Sequence, residues 1–155
     1  MQDRANTGED VRVDSWKRCF LEKLHGALSR WAEQFEVALD GAVVPIFERL
    51  ASFLRDNGFN VSTPLKEVGR RSFKCQLAEN AFVLMIFHFS GVGEFELRSE
   101  TFVPGAEPIL EKSVGRLEDL DEAWAQAKFQ TTLDRFVDLL AGETAAEPRE
   151  ELAAV

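Results

Sequence analysis

The chain has 155 residues, of which 45% are hydrophobic, 29% charged and 10% aromatic, the balance of one globular domain. A chain of this size buries roughly 70% of the surface its unfolded form exposes, so it needs no metal or disulfide to fold; its composition excludes collagen-like, disulfide-rich and membrane-spanning classes. The formal charge is −9, which disfavours nucleic acid and anionic membrane as partners, because binding either requires a basic patch that displaces counterions.

Part of the acidity lies at the ends. Residues 142–155 carry a net −3 and residues 1–13 a net −1, leaving −5 on residues 14–141. The first stretch, MQDRANTGED, has no apolar h-region, and no apolar run approaches the roughly 20 residues that span a bilayer. A cytoplasmic location is therefore expected. Residues 1–13 read as a flexible N-terminus, 14–141 as a single α+β domain and 142–155 as a disordered acidic tail.

From a cap at Asp14 or Ser15, large apolar residues recur at helical spacing: Trp16, Phe20, Leu24, Ala27/Leu28, Trp31, Phe35 and Leu39. They predict one long amphipathic helix ending near Asp40-Gly41. Val43-Val44-Pro45 then restarts a helix or kinks a continuous one, since proline has no N–H to donate. Ile46, Phe47, Leu50, Phe53 and Leu54 form the next apolar face, and Asn57-Gly58 stops it.

Beyond Gly58 the period falls from 3.6 to 2. Phe59 and Val61 form a short edge strand. Four longer strands follow at 70–78, 81–89, 94–103 and 108–116, separated by Glu79-Asn80, Ser90-Gly91-Val92-Gly93 and Pro104-Gly105. Connections this short join antiparallel neighbours, so the expectation is a four-stranded antiparallel meander. The last helix carries Leu120, Trp124, Ala127, Leu133, Phe136, Val137 and Leu140 on its apolar stripe, with acidic residues in its first turn. The predicted architecture is α+β, with N-terminal helices, the meander and a C-terminal helix packed on the sheet.

Turns at Glu79-Asn80 and Gly91-Val92 predict a register that pairs Phe73 with Ile86 and Leu97 with Ile86. One face then gathers Phe73, Cys75, Leu77, Phe82, Leu84, Ile86, His88, Phe95 and Leu97, joined by Leu110 and Val114, as the core beneath the helices. The other face carries Val83, Met85, Phe87 and Phe89 between polar neighbours that include Lys74 and Arg98. Two readings of that apolar stripe stand. Either a helix or long rim side chains of the same chain cover it, or it is a contact surface, most simply of a symmetric homodimer.

Residues that carry chemistry are sparse. His25 reads as a surface residue and His88 as a core or rim residue. Cys19 and Cys75 lie in different elements without metal-ligand spacing and read as free, buried thiols. No metal site, cofactor or catalytic set is expected. Ser90-Gly91-Val92-Gly93 joins two strands and is a hairpin turn, not a phosphate loop that opens a helix. Lys66, Arg70, Arg71 and Lys74, with Arg98, Lys112 and Arg116, form either solvated strand edges or a modest cationic patch.

The function expected is therefore a non-enzymatic protein-binding or regulatory domain. Its partner is a protein and includes a second copy of itself, through the face with Val83, Met85, Phe87, Phe89, Lys74 and Arg98. The alternative is a small-ligand-binding or enzymatic pocket between helices and sheet around Cys75, His88, Ser99 and Lys112.

Overall fold

The computed structural model describes the backbone of residues 2–142 and the side chains of residues 11–142; the tail expected beyond Gly142 lies outside the described residues. Helix α1 runs Gln2–Ala38, starting well before the expected cap. No proline precedes Pro45, so nothing removes an N–H from its ladder. Nor does it stop at Asp40-Gly41. A single wide π turn, Leu39–Val43, passes directly into α2, Val44–Asp56, which carries Pro45 in its first turn. Pro45 has no N–H to give to the turn before it, and the widened turn keeps the two helices joined across that gap. Asn57 and Gly58, the latter at φ 88°, end α2.

Six antiparallel strands follow: β1 (Asn60–Val61), β2 (Leu65–Glu67), β3 (Arg70–Ala78), β4 (Ala81–Gly91), β5 (Glu94–Phe102) and β6 (Ile109–Arg116). The sheet order is β1-β3-β4-β5-β6, with β2 also paired to β3. The meander from β3 to β6 is the expected one, and the α+β class is as read from the sequence. The sheet exceeds four strands by the two short ones on β3's free side. A short 3-10 turn, Leu117–Asp119, leads to α3, Glu122–Leu140. The Asp121 carboxylate caps α3 by accepting the Trp124 backbone N–H at 2.8 Å.

Two bulges change the register. At the β3–β4 turn Ala78 pairs with Ala81, the pairing the turn predicts, but an extra residue in β3 then shifts the ladder to Gln76–Phe82 and Phe73–Met85. The β4–β5 turn is Val92-Gly93, one position later than expected, and a second irregularity beside it gives Phe89–Phe95 and Phe87–Leu97. An extra residue on one strand moves every later side chain to the other face of the partner strand.

The correction to the expected faces follows. Val83, Met85 and Phe87 join Phe73, Cys75, Phe95 and Leu97 beneath the helices, and Phe89 packs against the same cluster. The Phe87 ring, fully buried, lies 5.5 Å from Phe73 and about 6 Å from both Phe95 and Trp124, centre to centre. Phe47 joins from α2 at 4.7 Å from Phe73, and Phe129 from α3 at 5.4 Å. The stripe is the protein's own core, so it is not a surface for a second copy. Phe82, Leu84, Ile86 and His88 occupy the outward face instead, with Leu110 and Val114 exposed on β6.

Candidate functional site: a helix that outruns its sheet

The C-terminal part of α1 is anchored by residues spaced for a helix face. Trp31 lies against Gly93 at the β4–β5 hairpin. Phe35 sits between Phe89 and Phe95, at 5.8 and 6.2 Å between ring centres, and both Phe35 and Leu39 are fully buried. Arg71 of β3, only 3% exposed, locks the end of α1 to the sheet. Its Nη1 donates to Asp40 Oδ1 at 2.8 Å and its Nη2 to Glu36 Oε1 at 2.7 Å. Such charge-assisted bonds are shorter and stronger than neutral ones.

The same stripe continues toward the N-terminus with none of the described residues over it. Every side chain from Val11 to His25 is exposed. Trp16 is 64% exposed and Phe20 48%, and their rings stack on each other at 5.3 Å with 15° between planes. Six of the fifteen exposed large hydrophobic side chains among the described residues fall between Val11 and Leu24. Apolar residues this concentrated on a surface mark a contact site. The sequence places Trp16, Phe20 and Leu24 on the apolar stripe of an amphipathic helix, but its spacing does not say that this part of the stripe is exposed.

The residues predicted for an outward interface separate. Lys74 and Arg98 do lie on the outward sheet face, apart from Val83, Met85, Phe87 and Phe89. Lys74 Nζ sits 4.4 Å from the centre of the Phe82 ring, which stacks on Phe102 at 4.5 Å. Arg98 and Lys112 bind the Glu96 carboxylate at 2.7 and 3.2 Å. The Arg98 hydrogen bond, with help from Lys112, holds the Glu96 carboxyl below its ordinary range. The expected basic cluster is likewise divided, because Arg71 points inward while Arg70 and Lys74 point out.

The four residues of the alternative pocket do not converge. Cys75 is buried beside Phe47, Phe73 and Met85 around a gap of only about 10 Å³. Burial pushes its thiol up to about 11, against a smaller opposing pull from Arg55. His88 is exposed on the outward face, opposite Arg70 and Glu96. Ser99 and Lys112 border a cleft of about 160 Å³ between β5, β6 and α3. Hydroxyl residues Thr101, Ser113, Thr131 and Thr132 share that cleft, and Arg135 at its rim pairs with Glu111 at 2.7 Å.

Among the described residues no group of His, Cys, Asp and Glu side chains could hold a metal ion. Both cysteines are free thiols; Cys75 is buried as expected, whereas Cys19, also expected to be buried, is exposed on the part of α1 that lies clear of the sheet. No helix among those residues is long and apolar enough to cross a membrane. No family model, no curated protein and no solved structure matches this chain.

Proposed function

We propose that this is a non-enzymatic, cytoplasmic protein-binding domain that self-associates, and that its binding element is the uncovered N-terminal half of α1. The observation that carries this is the exposure of Trp16 and Phe20, stacked on a stretch of helix that no other described element packs against. An amphipathic helix is stabilised mainly by packing of its apolar face, and an isolated one is marginal in water. A second chain supplies the missing surface, in the manner of an amphipathic helix laid against an apolar groove.

Sedimentation velocity at micromolar concentration tests this. Wild type is expected at twice its 17.5 kDa monomer mass, and Phe20→Glu as a monomer with an unchanged near-ultraviolet spectrum. A monomeric wild type contradicts the proposal, as does a Phe20→Glu dimer. So does a monomer whose Phe20-dependent ligand is an anionic phosphatidylserine vesicle, which would make the arm a membrane-surface helix.

The cleft between β5, β6 and α3 supports a second reading, a site for a small hydroxylated ligand. Its volume of about 160 Å³ falls short of the roughly 300 Å³ usual for ligand pockets. A panel of small hydroxy acids would have to raise the melting temperature of wild type but not of Thr132→Val; no response from either removes this reading.

A further inference from the structure

Resting on the second reading above, that the cleft between β5, β6 and α3 is a ligand site, we infer that its ligand is a short hydroxy monocarboxylate. The carboxylate pairs with Lys128, and the ligand hydroxyl bonds to the serine and threonine side chains of the cleft.

The lining comes first. Elsewhere the inward face of the sheet carries large apolar side chains, among them Phe73, Met85, Phe87 and Phe95. From Leu97 onward that pattern changes. The cross-strand pairs Leu97–Ser113, Ser99–Glu111 and Thr101–Ile109 put hydroxyls and a carboxylate where phenylalanine stood. Thr131 and Thr132 of α3 line the other side. Small polar side chains leave the space between sheet and helix unfilled, and their hydroxyls each donate and accept hydrogen bonds. Thr101 is only 7% exposed, so the cleft reaches into the fold.

Charge then sets the ligand's sign. Glu111 and Arg135 neutralise each other at 2.7 Å. Lys112 borders the cleft, but its ammonium lies on the outward face, 3.2 Å from Glu96. Lys128 is half-buried, with Nζ 5.8 Å from the centre of the Trp124 ring. It has no ion-pair partner among the described residues. One positive charge is therefore left over, in a chain whose formal net charge is −9. A ligand with a single negative charge matches it, whereas a dianion would set its second charge against Glu111.

Size sets the length. A cavity of about 150 Å³ takes up benzene, so a cleft of about 160 Å³ has room for roughly six or seven heavy atoms. That is the size of lactate, glycerate or 3-hydroxybutyrate. Leu97, Ile109 and Leu139 give the carbon chain an apolar wall.

Isothermal titration of the full chain with these three acids, with the neutral amide of each and with butyrate tests the assignment. At least one acid is expected to bind. Its amide should bind about tenfold more weakly, as should the acid to Lys128→Gln, and butyrate should bind more weakly than 3-hydroxybutyrate. The comparison of acid with amide is made on the wild type, so it does not depend on how the variant folds. An amide that binds as well as its acid, and is lost in Thr132→Val, overturns the inference while leaving the cleft a ligand site. Acid binding that Lys128→Gln leaves unchanged, or butyrate that binds as tightly as 3-hydroxybutyrate, overturns it as well. If no acid and no amide binds, the underlying reading falls with it.

Discussion

The two halves of α1 present the same apolar spacing and meet opposite fates. Trp31, Phe35 and Leu39 lie over the sheet, whereas Trp16, Phe20 and Leu24 lie over none of the described residues. Length separates them. At 1.5 Å per residue a helix of 37 residues spans about 55 Å, while the longest strand, with 11 residues, spans about 37 Å. A stripe of apolar residues states that a face must be covered. It does not state whose atoms cover it.

The sharpest way to break this comparison is to place the same charge in each half's environment. Phe87→Glu puts a carboxylate among Phe73, Phe95 and Trp124, and the chain is expected to fail to fold by circular dichroism; even Phe87→Ala should cost about 3–5 kcal/mol. Phe20→Glu should leave the monomer's melting unchanged and abolish only the dimer. If Phe87→Glu folds and stays monomeric, the stripe on β4 is the interface after all.

The anchor of the covered half is the next lever. Arg71→Met strands Glu36 and Asp40 without their donor, and should cost about 1–3 kcal/mol in urea unfolding, because both acids retain some solvent. Dimer affinity, if it belongs to the arm, should change far less than stability. An effect of similar size is expected at β6. A Cβ on Gly115 would lie 2.5 Å from Phe95 Cζ, and Phe95 is held by Phe35 and Trp124. Gly115→Ala should therefore lower stability by about 1–3 kcal/mol through overpacking, again without affecting self-association.

The two thiols report the same contrast at the smallest scale. Iodoacetamide should alkylate Cys19 in the native protein and Cys75 only after unfolding, as read by mass spectrometry. With the Cys75 thiol raised from 9.0 to about 11 by burial, the native state keeps a proton that the unfolded state loses. Stability should then fall as pH rises through that interval, and Cys75→Ala should remove that part of the slope. Native labelling of Cys75 at pH 8 would contradict its burial.

Much of the fold was legible because periodicity is a local property. The long strands lie within two residues of their expected bounds, and Pro45 marked the junction of α1 and α2. What was not legible was one residue in each of two hairpins. The extra residue before Ala78 and the shift beside Gly91 have no compositional mark, yet they exchange Val83, Met85 and Phe87 for Phe82, Leu84 and Ile86 on the buried face. Because both faces of β4 are apolar, hydrophobic pattern alone did not choose between them. The three-residue strand β2 is too short for alternation to register. The candidate site was half visible: Trp16, Phe20 and Leu24 were found as a stripe, but their exposure depends on the length of the element beneath them, which no local pattern encodes.

The claim that another chain covers the arm is tested most directly by amide hydrogen exchange over residues 11–24 at two protein concentrations, one well above and one well below the dimer midpoint. The account predicts slow exchange in the concentrated sample and fast, frayed-helix exchange in the dilute one, with the amides of β4 protected equally in both. Exchange in the arm that is the same at both concentrations, in a protein that sedimentation finds dimeric, would contradict it.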